Sequence, residues 1–285
     1  MPQLLTACYD LEFSPPTYDF VGFLVAAEQE RIDQDFDALD IAIIPGSNHG
    51  FRVDNLPPRR IEDRIAMRDE IVVPMARLLP SVRNVIVQPV RGVPVGETTC
   101  YGGARYGTDV MVRMWENNCF PLRGPEVPIL ENWNDDIVTI TLREAPYHPT
   151  RNSNLAEWMA VADWLQRQGY TVLIVRDTSN ADQPLPHSIV PAVSWDMTRR
   201  AKLYANSKLN LFVNNGPAWM CVFMGAPAFI CKMTAPDAPC VDPAFFAGVG
   251  LPVGSQIPNA RPMQRILWEN DTAANIIPAV REMLA

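Results

Sequence analysis

The chain has 285 residues, 48% of them hydrophobic and 20% charged, and a formal net charge of −8. These values predict a soluble globular protein of one or two domains, and the scattered basic residues argue against nucleic acid as a main partner. The N-terminus lacks the basic segment of a signal peptide, and six cysteines without CxxC spacing favour buried thiols over disulfides. We therefore expect a cytoplasmic protein, and the wide separation of its 3 histidines predicts no metal site.

Strand and helix patterns alternate in the first half of the chain. Strands are predicted over residues 4–9, 40–44 and 82–87, with helices over 18–31 and 60–79, the second one broken or kinked at Pro74. Residues 89–133 are rich in glycine and proline, with one predicted helix over 109–116. Strands separated by helices are typical of parallel sheets. We place a domain junction near residue 130.

The second half shows the same alternation. Strands are predicted over residues 137–142, 171–175, 209–213 and 228–231, and helices over 155–168, 195–206 and 273–284, with a further helix starting at Pro217. Asn154 and Glu157 have the spacing of a capping box, and a stripe of apolar residues faces the sheet: Leu155, Trp158, Val161, Ala162 and Leu165. The fold class predicted is α/β, with two Rossmann-like domains of parallel sheet, 1–130 and 131–285.

The apolar run 209–233 resembles a membrane span but contains two breaks. Asn214 to Pro217 form the first break and Gly225 to Pro227 the second. A spanning helix needs about 20 largely uninterrupted apolar residues, so no transmembrane segment is predicted. Instead, a strand, a polar turn and a helix follow one another. Such a turn exposes N–H groups at a helix N-terminus, which favours a phosphate or diphosphate ligand.

Polar and charged residues follow each predicted strand of the second half. Ligands of open parallel sheets bind at the carboxyl ends of strands, so these residues are expected to share one rim. They are Arg143 and Glu144, Arg176 and Asp177, Asn214, Asn215, Gly216 and Pro217, and Lys232.

The segment between residues 143 and 154 is the second candidate for anion binding. Arg143 and Arg151 bracket it, and guanidinium groups make paired hydrogen bonds to phosphate oxygens. Asn152 and Ser153 stand just before a predicted helix, where they could bind an anion or simply cap the helix. The alternative for the two arginines is pairing with surface carboxylates.

Four further residues are candidates for proton transfer. His49 lies among glycines after a strand, and His148 lies in the loop that follows Arg143. Asp19 opens a helix and Asp10 ends a strand. Each has an ordinary alternative: a packing or hydrogen-bonding role for the histidines, and a first-turn or capping role for the carboxylates.

The segment Val213 to Pro227, VNNGPAWMCVFMGAP, resembles glycosyltransferases of the heptosyltransferase (ADP-heptose) type. The resemblance implies a GT-B fold, in which a nucleotide-sugar lies mainly on the second domain. It implies that Asn215 and Gly216 contact the donor diphosphate, with Asn214 close by. Asp19 is similar in position to the family's catalytic aspartate, and the strand end at Arg143 is more weakly similar to the donor motif of bacterial fucosyltransferases.

The function expected is therefore metal-independent transfer of a sugar from a nucleotide-sugar to a hydroxyl acceptor, with a glycan as the expected acceptor, in polysaccharide biosynthesis. The nucleotide-sugar is a substrate, and no other cofactor is expected. Catalytic roles are assigned to Asp19, Arg143 and His49. Donor binding is assigned to ten residues: Arg143, Arg151, Asn152, Ser153, Asp177, Asn214, Asn215, Gly216, Pro217 and Lys232. The alternatives are a non-catalytic nucleotide-sugar-binding protein, and an epimerase or pyruvyl-transferase-like enzyme.

Overall fold

A computed structural model describes residues 3–53, 59–92, 98–101, 108–124, 136–189 and 191–285. The chain divides into two compact units, Met1–Arg123 and Gly124–Ala285. The junction predicted near residue 130 falls within 125–135, outside the described residues.

The first unit contains a parallel sheet of four described strands in the order β3-β2-β1-β4. The strands are β1 (Leu4–Asp10), β2 (Ala38–Ile44), β3 (Val82–Val87) and β4 (Thr98–Tyr101). The helices are α1 (Phe20–Asp33), α2 (Ile61–Met67), α3 (Val73–Ala76) and α4 (Thr108–Glu116). A π-helical turn, Arg68–Val72, separates α2 from α3. The helix predicted over 60–79 is thus interrupted just before Pro74, as expected where a proline removes one backbone donor.

The second unit contains a parallel sheet of five strands in the order β6-β5-β7-β8-β9. The strands are β5 (Ile137–Thr141), β6 (Thr171–Val175), β7 (Leu209–Val213), β8 (Ala228–Cys231) and β9 (Gln264–Ile266). The helices are α5 (Leu155–Arg167), α6 (Ala192–Trp195), α7 (Met197–Ala205), α8 (Gly216–Phe223), α9 (Pro243–Gly248) and α10 (Ala273–Leu284). The strand order reverses between β5 and β7, which makes the crevice between their carboxyl ends the topological switch point of the sheet.

The two parallel sheets confirm the predicted α/β class. In the second unit, α5 and α10 pack on the sheet through buried side chains that include Trp158, Leu165 and Val280. Leu155 was predicted to belong to this face, but it is 39% exposed, so the first position of the stripe was wrong. Within the described ranges, no helix combines the length and the apolar character needed to cross a membrane.

The capping box predicted at the start of α5 is also wrong. The Asn154 side chain makes no cap hydrogen bond. The Asn154 N–H donates instead to Asp271 Oδ2 at 2.6 Å, and Glu157 Oε2 accepts from the Ala273 N–H at 2.6 Å. The groups that would form a local box are used to join the N-terminus of α5 to that of α10, because tertiary packing supplies closer partners than the turn itself.

The described cysteines differ in exposure. Cys8, Cys221 and Cys231 are buried, as predicted, while Cys119 is half-buried and Cys240 is exposed. Burial raises the pKa of the Cys221 and Cys231 thiols, because an apolar interior disfavours the thiolate. The side chain of the sixth cysteine, at position 100, lies outside the described residues.

Candidate functional site

The carboxyl ends of β5 and β7 bring together two segments that the sequence placed apart. The loop 143–154 follows β5, and the turn 214–216 follows β7, and these strands are direct neighbours in the sheet. Arg151 Nη2 donates to the backbone oxygen of Asn214 at 3.3 Å, so the loop and the turn are in contact. Both predicted anion-binding elements therefore lie at the switch point of the second unit.

Arg143 organises the loop that follows β5. Its buried guanidinium donates from Nη1 to the His148 oxygen at 3.1 Å and from Nη2 to the Tyr147 oxygen at 3.0 Å, and Nη1 also donates to Asn152 Oδ1. The guanidinium carbon lies 5.2 Å from the centre of the Tyr147 ring. Burial, and then the positive charge of Arg151, lower the pKa of Arg143. The two guanidinium groups are therefore close enough to repel each other.

The side chains of Asn152 and Ser153 stabilise the same loop through hydrogen bonds to its backbone. Asn152 Oδ1 accepts from the Ala145 N–H at 3.1 Å, and its amide nitrogen donates to the Ala145 oxygen at 2.9 Å. Ser153 Oγ accepts from the Arg143 N–H at 2.9 Å. The alternative interpretation, in which these residues cap α5, is wrong because their side chains bond within the loop. Their predicted contact with a donor diphosphate stays a prediction.

Two of the four cations on the rim are neutralised by carboxylates. Arg176 Nε and Nη2 donate to the two Glu144 oxygens at 2.7 and 2.5 Å. Lys232 Nζ lies 3.0 Å from Asp271 Oδ1. These charges are paired on nearly buried side chains, so Lys232 serves as a structural link and its predicted contact with a phosphate is not supported by this geometry.

The other two cations, Arg143 and Arg151, have no carboxylate within salt-bridge distance in the described part of the chain. Asp177 is close enough to favour the charged form of Arg143, but it forms no ion pair with it. Its own oxygens accept from the Ser179 N–H at 3.2 Å and the Glu144 N–H at 3.3 Å. Two positive charges that lack an ion-pair partner at the same strand ends favour a polyvalent anion in their vicinity.

The side chain of Asn214 fixes the polar turn after β7. It is buried, its amide nitrogen donates to the Met233 oxygen at 2.8 Å, and its Oδ1 accepts from Trp219 Nε1 at 3.2 Å. Asn214 therefore takes part in the site through its backbone oxygen, which accepts from Arg151. Its side chain ties the turn to Met233, in the segment that follows β8.

Asn215 is the N-cap of α8. Its Oδ1 accepts from the Ala218 N–H at 3.1 Å, and Pro217 brings no N–H to the first turn. The N–H groups of Asn215 and Gly216 have no acceptor among the described residues. The predicted turn thus presents two backbone donors, at the positive end of a helix dipole and beside the arginine pair.

The segment 237–240, which the sequence did not indicate as part of the site, contacts the loop 143–154. Thr150 Oγ1 donates to Asp237 Oδ1, and the exposed Cys240 has its Sγ 4.0 Å from Arg151 Nη1. Asp271 was also missed, although its Oδ2 accepts from the Asn154 N–H at the end of the loop and its Oδ1 pairs with Lys232. No local pattern signals these contacts, because each joins positions far apart in the chain.

Among the candidates for proton transfer in the first unit, Asp10 is half-buried, whereas Asp19 and His49 are exposed. Asp19 is exposed and precedes α1 without a side-chain cap bond. Asp10 forms an ion pair with Arg91 at 2.7 Å, which favours the structural alternative for Asp10. In the second unit, His148 adopts a left-handed backbone, φ 49°, and offers its carbonyl oxygen to Arg143.

His49 occupies a tight turn after β2. The backbones of Asn48 and Phe51 bond to each other at 2.9 and 3.0 Å, and both residues between them have positive φ, 51° for His49 and 88° for Gly50. These angles are those of a type I′ turn. A Cβ at Gly46 would lie 2.4 Å from the carbonyl carbon of Phe51. The glycines around the exposed His49 are thus accounted for by the backbone of the turn.

No protein-family model and no curated protein matches this sequence. Among solved structures, the chain is similar to a glycosyl transferase family 9 protein from Veillonella parvula DSM 2008, with a TM-score of 0.44 and 13% identity over 83% of this chain and 82% of the other. It is also similar to the UDP-GlcNAc 2-epimerase from Methanocaldococcus jannaschii, with a TM-score of 0.36 and 11% identity over 99% and 92% of the two chains. Likeness at this level identifies neither a family nor an activity for this chain.

Proposed function

We propose that the second unit binds the diphosphate of a nucleotide-sugar at the crevice between β5 and β7. The observation that supports the proposal most strongly is that Arg143 and Arg151 are not neutralised within the described part of the chain. Both belong to the loop that follows β5 and have no carboxylate partner among the described residues, and Arg151 contacts the turn that carries the N–H groups of Asn215 and Gly216. A diphosphate supplies the charge and the acceptor oxygens that this arrangement lacks.

We further propose that the reaction is glycosyl transfer to a hydroxyl group, with a glycan as the acceptor. The bond between the anomeric carbon and the diphosphate oxygen breaks, and the acceptor oxygen bonds to that carbon. Arg151, the charge of Arg143 and the turn at Gly216 stabilise the diphosphate as it leaves, a task for which preset donors are effective. No metal ion is required in this scheme. Asp19 is the proposed base for the hydroxyl proton, with His49 as the alternative.

The second candidate is a nucleotide-sugar-binding protein without transfer activity. One observation favours it: the anion-binding groups all belong to the second unit, whereas the two proposed bases are exposed residues of the first unit. Binding of the diphosphate and turnover therefore depend on different residues and can be measured separately.

The binding proposal is tested by calorimetry with ADP, UDP and GDP, followed by their sugar conjugates. Cys240 provides a direct probe, because its exposed Sγ lies 4.0 Å from Arg151 Nη1. A bound diphosphate should slow alkylation of Cys240 by iodoacetamide, as read by peptide mass spectrometry, while alkylation of a denatured sample stays unchanged. Absence of binding by all nucleotides, together with an unchanged alkylation rate, would overturn the proposal.

Turnover is tested by following the nucleotide-sugar that binds best. Release of nucleoside diphosphate with a panel of glycan acceptors, abolished in Asp19→Asn and retained in Asp33→Asn at the other end of α1, supports transfer. Binding without release of diphosphate supports the second candidate. A change in the sugar's configuration on the intact nucleotide would instead indicate an epimerase.

A further inference from the structure

The buried carboxylate of Asp271 lies at the centre of the contacts that hold the loop 143–154. It is 3% exposed, and its Oδ2 accepts from the Asn154 N–H at 2.6 Å and from Trp158 Nε1 at 3.1 Å. Its Oδ1 lies 3.0 Å from Lys232 Nζ. Both oxygens are therefore engaged, one by the first turn of α5 and the other by the residue that follows β8.

Lys232 connects Asp271 to Asn152, the residue next to Arg151. Its Nζ donates to the backbone oxygen of Asn152 at 2.6 Å. The Lys232 backbone is left-handed, φ 50°, and its N–H donates to the Glu269 oxygen at 2.9 Å. Because Lys232 is held at both its backbone and its ammonium group, it restrains the carbonyl of Asn152. The backbone next to Arg151 is restrained with it.

We propose that Asp271 is a positioning residue for the anion site: it holds Lys232 and the start of α5 so that the loop keeps Arg143 and Arg151 at the switch point. The proposal rests on the proposed function for its ligand. It follows from geometry, because the path from Asp271 runs through Lys232 to Asn152, whose side chain in turn accepts from Arg143. Asp271 also neutralises the lysine, which leaves the arginines as the unpaired charges.

The central test is Asp271→Asn, which removes the charge and keeps the size of the side chain. Asp163→Asn is the matched control, because Asp163 is an exposed aspartate on α5. We expect the Kd of the best-binding nucleoside diphosphate to rise about 10-fold in Asp271→Asn, by analogy with the lower end of what loss of a supporting carboxylate costs at metal sites, and to stay unchanged in the control. The effect should be smaller when Arg151 is already replaced by Met, because Asp271 then acts through Arg143 alone.

Removing one member of a buried ion pair is a common cause of unfolding, so a second variant accompanies the first. The double variant Asp271→Asn with Lys232→Met leaves no unpaired charge. It should fold and still bind the nucleoside diphosphate about 10-fold more weakly, since Asn152 has lost its ammonium donor.

Hydrogen exchange gives a readout that needs no ligand. The N–H groups of Ala145 and Ser153 bond within the loop, to Asn152 Oδ1 and the Arg143 oxygen. Their exchange should accelerate about 10-fold in the double variant, while amides of β6 keep the wild-type rate.

Exchange that is unchanged in the loop, or equally accelerated in the loop and in β6, would overturn the positioning role. Accelerated loop exchange in a protein whose wild type binds no nucleoside diphosphate would uphold the positioning of the loop by Asp271 and refute the proposed function. An equal loss of affinity in the presence and absence of Arg151 would show that Asp271 does not act through that residue.

Discussion

Replacement of Arg151 by Met tests the anion site most directly. The change removes a guanidinium that is half-buried, bonded to the Asn214 oxygen at 3.3 Å, and unpaired by any carboxylate in the described part of the chain. Methionine replaces the apolar stem of arginine and omits the guanidinium group, so packing around the stem is largely preserved. Arg167→Met, at the far end of α5 on an exposed position, is the control for loss of one positive charge.

The expected magnitude follows from two bounds. A unit charge 4 Å from a phosphate interacts by about 4 kcal/mol at an effective dielectric constant near 20, an upper limit that water and salt reduce at a partly exposed site. Hydrogen bonds to charged groups contribute about 1.5–3 kcal/mol. A loss of about 2 kcal/mol corresponds to a Kd raised about 30-fold. Arg151→Lys should fall between wild type and Met, because it keeps the charge and loses the paired geometry.

Calorimetry with the nucleoside diphosphate that binds wild type best, at low and at physiological salt, measures this change. The difference between wild type and Arg151→Met should shrink as salt rises, since the lost term is electrostatic. A Kd within about 3-fold of wild type, a difference near 0.7 kcal/mol, would refute the assignment of Arg151 to the ligand. An equal loss in Arg167→Met would show that overall charge, and not this site, attracts the anion.

Two further predictions concern stability. Gly46→Ala should lower the free energy of unfolding by about 1–3 kcal/mol, because the new methyl group would overlap backbone atoms that cannot move away. Gly92→Ala is the control: no atom lies within 4 Å of the added methyl group, so its urea midpoint should equal that of the wild type. Equal midpoints for the two variants would contradict the packing described around the His49 turn. The buried Cys221 thiol has a pKa raised above its ordinary value of 9.0, so its contribution to stability is full below pH 9 and is lost as pH rises further, by up to about 1.4 kcal/mol per pH unit. Cys221→Ala should reduce that alkaline loss in urea titrations and the exposed Cys240→Ala should not; a slope insensitive to Cys221 would refute the burial argument.

The sequence predicts the elements well where the signal is local. Apolar runs bounded by polar turns locate β7 and β8, and Pro217 marks the first turn of α8, because strand length and proline geometry depend on near neighbours. The short edge strand β9 was missed, since three residues carry too little periodicity to be distinguished from loop. The residues after β5 and β7 could be predicted to share one rim because parallel strands end at the same edge of a sheet.

The chemical state of each rim residue required the tertiary structure. Lys232 and Arg151 look alike in sequence as cations beside predicted turns, yet Lys232 pairs with Asp271 and Arg151 pairs with no carboxylate among the described residues. Glu157 was assigned to a local capping box and instead accepts from Ala273, 116 positions away. Partners at such separations leave no pattern in a window of neighbouring residues.

The sequence by itself therefore determined that this chain forms α/β units with parallel sheets, and that polar residues gather where strands of the second sheet end, because alternation of strand and helix and the direction of parallel strands are set locally. The tertiary structure decided which of these charges remain available. Long-range ion pairs neutralise Arg176 and Lys232 and, among the described residues, leave Arg143 and Arg151 without a carboxylate partner at the switch point. The reason is that a charge is neutralised by whatever carboxylate the fold brings within reach.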